Sequence, residues 1–335
     1  MTRTAALAAV LVVALSPAPA LAWGSHGHRI VGEAAMAALP AEVPAFLRTP
    51  RAIADVGELS REQDRTKGAG RVHDHNRDPG HFVDLDEEGR VLGGPLFSPL
   101  PPTRAEYEKA LQAAGLDSWK GGYLQYSIID RHQHLAKEFG YWRAVGAALA
   151  REKDRTRRAW LQRDLARREA QILQTIGDLS HFVGDGAQPL HVSVHYNGWG
   201  DYPNPKGYTN ARIHGPFEGE FVAQNVSAEA VRAGMAPFRP CDCAVEARTV
   251  DYLLASLTQV EPLYALEKAG GLRAGDPRGR AFVTERLAAG ASELRDMVTE
   301  AWRVSLDATV GWPAVKVRDV LDGKLDPFDS LYGVD

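Results

Sequence analysis

Apolar residues recur every three or four positions along most of this chain, and the stretches between them are polar and rich in glycine and proline. That spacing places apolar side chains on one face of a helix and predicts amphipathic helices. The segment GHRIVGEAAMAAL (27–39) is one and stops at Pro40. A second covers 103–116, where Thr103 followed by Glu106 forms a capping-box pattern. Two long runs cover 122–153 and 157–185, and shorter ones fit 214–225, 244–261 and 280–306. Alternating β-branched runs are almost absent, while 64–102, 192–213 and 234–243 read as loops. The pattern predicts an all-α protein, a single compact multi-helix domain without internal repeats.

The first residues follow a different pattern. Arg3 precedes the apolar run AALAAVLVVAL, and Ala20-Leu21-Ala22 has the small-x-small form of a cleavage site. The apolar run is shorter than the roughly 20 residues a membrane span needs. Residues 1–22 are therefore expected to be a secretory signal peptide, removed so that Trp23 carries a free α-amine. The domain would then be 23–335, secreted or periplasmic, without stable membrane association and monomeric. The net charge of −4 becomes slightly more negative once Arg3 is lost, so binding of a polyanion would need a local site rather than a basic surface. Cys241 and Cys243 are the only cysteines; a C-x-C pair can be a local disulfide or two thiols, and neither supports a zinc-finger reading.

The candidate chemistry is concentrated in LSHFVGDGAQPLH (179–191). His181 and Asp185 stand four apart, so both leave one face of a helix. Pro189 breaks that helix, and His191 follows in the turn. His214 and Glu218 repeat the spacing in IHGPFEGEF, His81 and Asp84 lie in GHFVDLD, and Trp23 and His28 lie in WGSHGH. A histidine and a carboxylate one helical turn apart suit zinc, which takes nitrogen and oxygen ligands at about 2 Å. Solvation gives no reason for His181 to stand among Leu179, Phe182 and Val183.

The stretch SHFVGDGAQPLH resembles the signature of the zinc-dependent single-strand nucleases, the S-one/P-one nuclease family, and of the related bacterial zinc phospholipases C. The W-G-x-x-G-H start and HFVD are further marks, the first of nuclease type. The resemblance runs from Trp23 to Glu218 and implies the phospholipase C/nuclease fold, with long loops around a cleft holding three zinc ions. It implies that Asp55, His81 and His181 hold one ion, and His191, His214 and Glu218 a second. The α-amine and carbonyl of Trp23 with His28 would hold the third, with Asp185 bridging the first and third. Asp55 keeps the Ala-Asp of the family's Trp-Ala-Asp without its tryptophan, and Asp64 is the alternative to it. The family's arginine three positions after that aspartate is replaced by Glu58, with Arg61 the nearest basic residue. Glu218 stands where the nucleases usually carry aspartate.

The activity so implied is endonucleolytic hydrolysis of single-stranded DNA and RNA to 5′-phosphate products, with 3′-nucleotidase activity alongside. Zinc lowers the pKa of a bound water toward ~7, and Asp55 and Asp185 would be the catalytic carboxylates. Phe82 would stack on a base and Asp84 would hydrogen-bond it; stacking is worth about 1–3 kcal/mol per base whatever the sequence. Tyr196, Trp199, Tyr202 and Tyr208 would rim the cleft. His26, His73, His75, His132, His134 and His195 are read as non-ligands. Two other functions fit the same residues: a zinc phospholipase C acting on phosphatidylcholine-like lipids, and an exported zinc-binding protein without catalysis. Asn225-Val226-Ser227 is a glycosylation sequon where the host glycosylates.

Overall fold

The computed structural model describes residues 23–239, 241 and 243–333. The expected signal peptide, residues 1–22, lies outside the described residues. The protein is mostly helical, in agreement with the expected all-α class. Its centre is a helical hairpin of α7 (Leu124–Arg151) and α8 (Arg155–Ala187), which makes the most extensive packing contact in the molecule. Asp154 caps α8 by accepting hydrogen bonds from the backbone N–H groups of Thr156 and Arg157. Helices α1 (Gly24–Ala37), α2 (Pro50–Leu59) and α13 (Pro277–Val304) pack against this hairpin.

Between α2 and α7 lie the short helices α3 (Glu62–Arg65), α4 (Arg71–Arg77), α5 (Arg104–Ala113) and α6 (Ser118–Gly121). After α8 come α9 (Val222–Asn225), α10 (Ala228–Gly234), α11 (Val245–Leu257), α12 (Val260–Lys268) and, beyond α13, α14 (Val317–Leu321) and α15 (Phe328–Tyr332). Among the described residues the strand content is an antiparallel pair of two-residue strands, Thr309–Val310 with Val315–Lys316. One apolar core runs from Trp23 and Leu47 through Leu124, Ile176 and Leu190 to Leu294 and Ala301. No helix among the described residues is long and apolar enough to cross a membrane.

The long periodic segments appear with ends shifted by a few residues, and Thr103 caps α5 as its pattern predicts. Three segments differ. The expected loop 64–102 contains α4 and part of α3, because the polar run RVHDHNR forms a helix that leaves no residue buried and so carries no apolar stripe. The expected helix 244–261 is interrupted at Thr258-Gln259 and resumes as α12. The run expected as a helix over 214–225 is helical throughout, but its hydrogen bonding turns π-helical at Pro216–Phe221 before α9. Cys241 and Cys243 are disulfide-bonded.

Candidate metal centre

Every residue from Thr175 to Ala187 of α8 is buried. A helix end closed on all sides should be apolar throughout, yet this one carries His181 and Asp185, both fully buried. Two close approaches hold other elements against it. Leu59, at the end of α2, sits where a Cβ on Gly177 would lie 2.5 Å from its own Cβ. His28 of α1 packs over Gly184, where an added Cβ would stand 3.0 Å from its Nδ1. Trp23 is fully buried beside it and donates its indole N–H to the Gly184 carbonyl at 2.7 Å. The mature start expected from the sequence is thus packed onto the helix that carries His181 and Asp185.

Three groups of side chains converge, each with ligand-type atoms within 4.8 Å of one another. The first is His28, His181 and Asp185, the second Asp64, His81 and His181, and the third His191, His214 and Glu218. Asp185 joins the first two: one oxygen is 3.5 Å from Nε2 of His28, and the other is 3.1 Å from Nδ1 of His81 and 3.3 Å from Nε2 of His181. In the third group, Glu218 lies 2.8 Å from Nε2 of His214 and 3.7 Å from Nε2 of His191. Glu218 is carried on the π-helical turn, an irregularity frequent at functional sites. Gln188, the last residue before the break at Pro189, donates to Glu218 and ties the third group to the end of α8.

The hydrogen bonds of the imidazoles determine which nitrogens face inward. His181 donates Nδ1–H to the Ser60 carbonyl, His191 to that of His81, and His214 to that of Tyr196, at 2.7–2.8 Å. Each ring therefore turns Nε2 toward the shared space, the orientation that supporting carbonyls impose on metal-ligating histidines. The Nε2 atoms of His191 and His214 then lie 3.1 Å apart, and Nε2 of His181 lies 2.9 Å from Nδ1 of His81. Two nitrogen lone pairs at that separation repel unless a proton or a metal ion lies between them.

Buried atoms without partners point the same way. Both ring nitrogens of His28, one oxygen of Asp185 and one of Glu218 are buried and accept or donate no hydrogen bond. Leaving such groups unpaired costs roughly 1–3 kcal/mol each, more for charged ones. The donor set, imidazole and carboxylate, could therefore hold metal ions.

Without an ion the electrostatics are uneven. Burial drives His28 down to about 3, helped by the charge of His181, and drives His81 down to about 4. Burial also acts against charge on His191, but Asp185 and Glu218 outweigh it and lift this histidine to about 9. Burial would raise Asp185, yet His181 and His191 hold it well below the usual carboxylate range.

One expected ligand is corrected. Asp55 lies off the buried face of α2, which is formed by Ala52, Val56 and Gly57. Its carboxylate is half exposed, pairs with Arg51 at 3.5 Å and lines a separate surface groove. Asp64 occupies the place expected of it, 3.9 Å from Nδ1 of His81 and 3.8 Å from Nε2 of His181. The turn at Ser60 carries α3 back toward α8, which brings the later aspartate in. Burial raises Asp64, but His181 and Lys67 overcome this and hold its carboxyl below the ordinary value. Asp55, also expected as a catalytic carboxylate, belongs to none of the three groups among the described residues.

Lys67 was not singled out from the sequence. It stands three positions after Asp64, with Nζ 2.5 Å from the carboxylate and only 17% of the side chain exposed. The signal for it was legible only once Asp64 was known to be the inward carboxylate. Arg61, the expected basic residue, instead pairs with Glu58, which Arg29 also holds.

The expected substrate residues are divided. Phe82 is half-buried against Gly122, and Asp84 is buried, with one oxygen unpartnered and its carboxyl pushed well above the usual range by burial. In the aromatic loop, Trp199 and Tyr208 are buried against Tyr264 and only Tyr196 and Tyr202 are exposed. That loop is largely self-packed. Among the described residues His195 belongs to no metal-type group; it bonds the Trp199 carbonyl and Glu87 and stacks on Trp199.

Compared with known proteins, the chain matches no family model, and no curated protein matches it.

Proposed function

We propose that the protein is an exported, zinc-dependent phosphodiesterase that hydrolyses single-stranded DNA and RNA to 5′-phosphate products. The observation that carries this reading is the pair of inward-facing Nε2 atoms of His191 and His214, beside Glu218 and close to a second buried set of donors. Three ions would be held by Asp64, His81 and His181, by His191, His214 and Glu218, and by His28 with the Trp23 terminus, Asp185 bridging the first and last. Bound zinc supplies Lewis acidity and makes hydroxide available near neutral pH.

The chain's own residues add the rest. Asp185 holds the ring of His81 and the Ser60 carbonyl that of His181, so the donors need little rearrangement. Lys67 brings a partly buried ammonium next to Asp64, where it can attract a phosphate in a protein whose net charge is negative. Hydrolysis adds water across the P–O3′ bond, leaving a 5′-phosphate and a free 3′-hydroxyl. The Cys241–Cys243 disulfide suits an oxidising compartment outside the cytosol, in keeping with export. A phospholipase C is the second reading, favoured by glutamate rather than aspartate at position 218.

The test is to give the protein beginning at Trp23 denatured DNA and phosphatidylcholine, each with and without EDTA. EDTA-sensitive release of acid-soluble nucleotides is expected. Phosphocholine alone would replace the nuclease with the phospholipase, and neither product would leave a metal-binding protein without this chemistry.

A further inference from the structure

A cavity of about 550 Å³ opens beside the metal centre, within the range of small-molecule sites. Phe182 is the shared wall: it lines the cavity, and its ring meets those of His81 and His181 edge-on at 5.6 Å between centroids. Gln63, next to the inward carboxylate Asp64, lines it too. Arg77, Arg104 and Arg131 line it as well.

These arginines differ in how they are held. The guanidinium of Arg104 lies 3.5 Å over the ring of Tyr123 and bonds Glu108 through Nε at 2.8 Å, so it is a fixed plane at the cavity wall. Arg131 pairs with Asp130 at 2.7 Å and faces Asp178 at 3.6 Å. Glu246, the other acidic lining residue, accepts a hydrogen bond from Gln133. The guanidinium of Arg77 has no hydrogen bond or ion pair among the described residues. A fixed guanidinium plane stacks bases, and a free guanidinium takes phosphate bidentately.

We propose that this cavity holds a nucleotide flanking the scissile position, with its phosphate on Arg77 and its base against Arg104. This rests on the phosphodiesterase reading above. It makes the enzyme selective for strands long enough to bring a second phosphate to Arg77; the dinucleotide TpT has a single phosphate and offers none.

The experiment compares kcat/KM for octathymidylate with that for TpT, together with the salt dependence of binding of a phosphorothioate octathymidylate, in the wild type, Arg77→Ala and Arg71→Ala. Arg71 is exposed at the start of the same helix and outside the cavity. Wild type should prefer the octamer, and Arg77→Ala should lower the octamer-to-dinucleotide ratio about tenfold. It should also reduce the slope of log K against log salt by about 0.7, the value for one phosphate contact on a single strand. Arg71→Ala should change neither. An unchanged ratio and slope in Arg77→Ala, or an equal effect of Arg71→Ala, would overturn the proposal. If the wild type cleaves neither substrate the phosphodiesterase reading fails, and the salt slope alone still decides whether Arg77 meets a phosphate.

Discussion

Nε2 of His191 and Nε2 of His214 face each other at 3.1 Å, while both Nδ1–H groups are held by backbone carbonyls. Neither ring can turn away without breaking its carbonyl bond, so the pair is arranged for a cation in advance of binding. His214→Ala should remove one equivalent of zinc as measured by atomic emission on dialysed protein, while the other ions remain. Saturating zinc should raise the wild type's thermal midpoint, since free ion at about 1,000 times Kd stabilises by ~4 kcal/mol. The variant should gain less. Equal metal content in the two proteins would refute the assignment of this pair.

The two aspartates separate cleanly. Asp64→Asn should lower metal content and reduce hydrolysis by at least about 100-fold, because several kcal/mol of charge stabilisation depend on the ion it helps to hold. Asp55→Asn should keep metal content and rate within about twofold, since its carboxylate is half exposed and paired with Arg51. The reverse ranking in a paired metal and rate measurement would restore Asp55.

Trp23 is packed against Gly184 one residue before Asp185. If its freed α-amine is a ligand, protein beginning at Trp23 should bind one more zinc than protein carrying a two-residue extension before it. Native mass spectrometry reads this directly. Identical stoichiometry in the two forms would exclude the chain terminus as a donor.

His132 supplies a pH prediction away from the metal centre. It is buried on α7 with neither ring nitrogen hydrogen-bonded, and burial, aided by Arg248, lowers it to about 4. The unfolded chain takes up the proton near pH 6.5 while the native state does not, so stability falls as pH drops from about 6.5 toward 4. Between pH 7.5 and 5, wild type should lose about 2 kcal/mol more than His132→Leu in urea unfolding. At pH 7.5 the leucine variant should be as stable or more so, because it removes unpaired buried donors and acceptors. Parallel losses in both proteins would show that His132 is not protonated differently on unfolding.

The i,i+4 pairs His181–Asp185 and His214–Glu218 were legible in the linear chain because helical pitch alone brings such side chains together, and Pro189 announced the turn that carries His191. The long helices were legible for the same local reason, their apolar spacing. What lay beyond local reading is which aspartate faces His81. That depends on how the turn at Ser60 sends α3 back to α8 and on the close packing of Leu59 against Gly177, contacts between residues more than a hundred positions apart. The inward orientation of Nε2 is also non-local, since the carbonyls of Ser60, His81 and Tyr196 belong to other segments. Spacing along one helix sets which side chains are neighbours, whereas packing between helices sets which of them share a pocket.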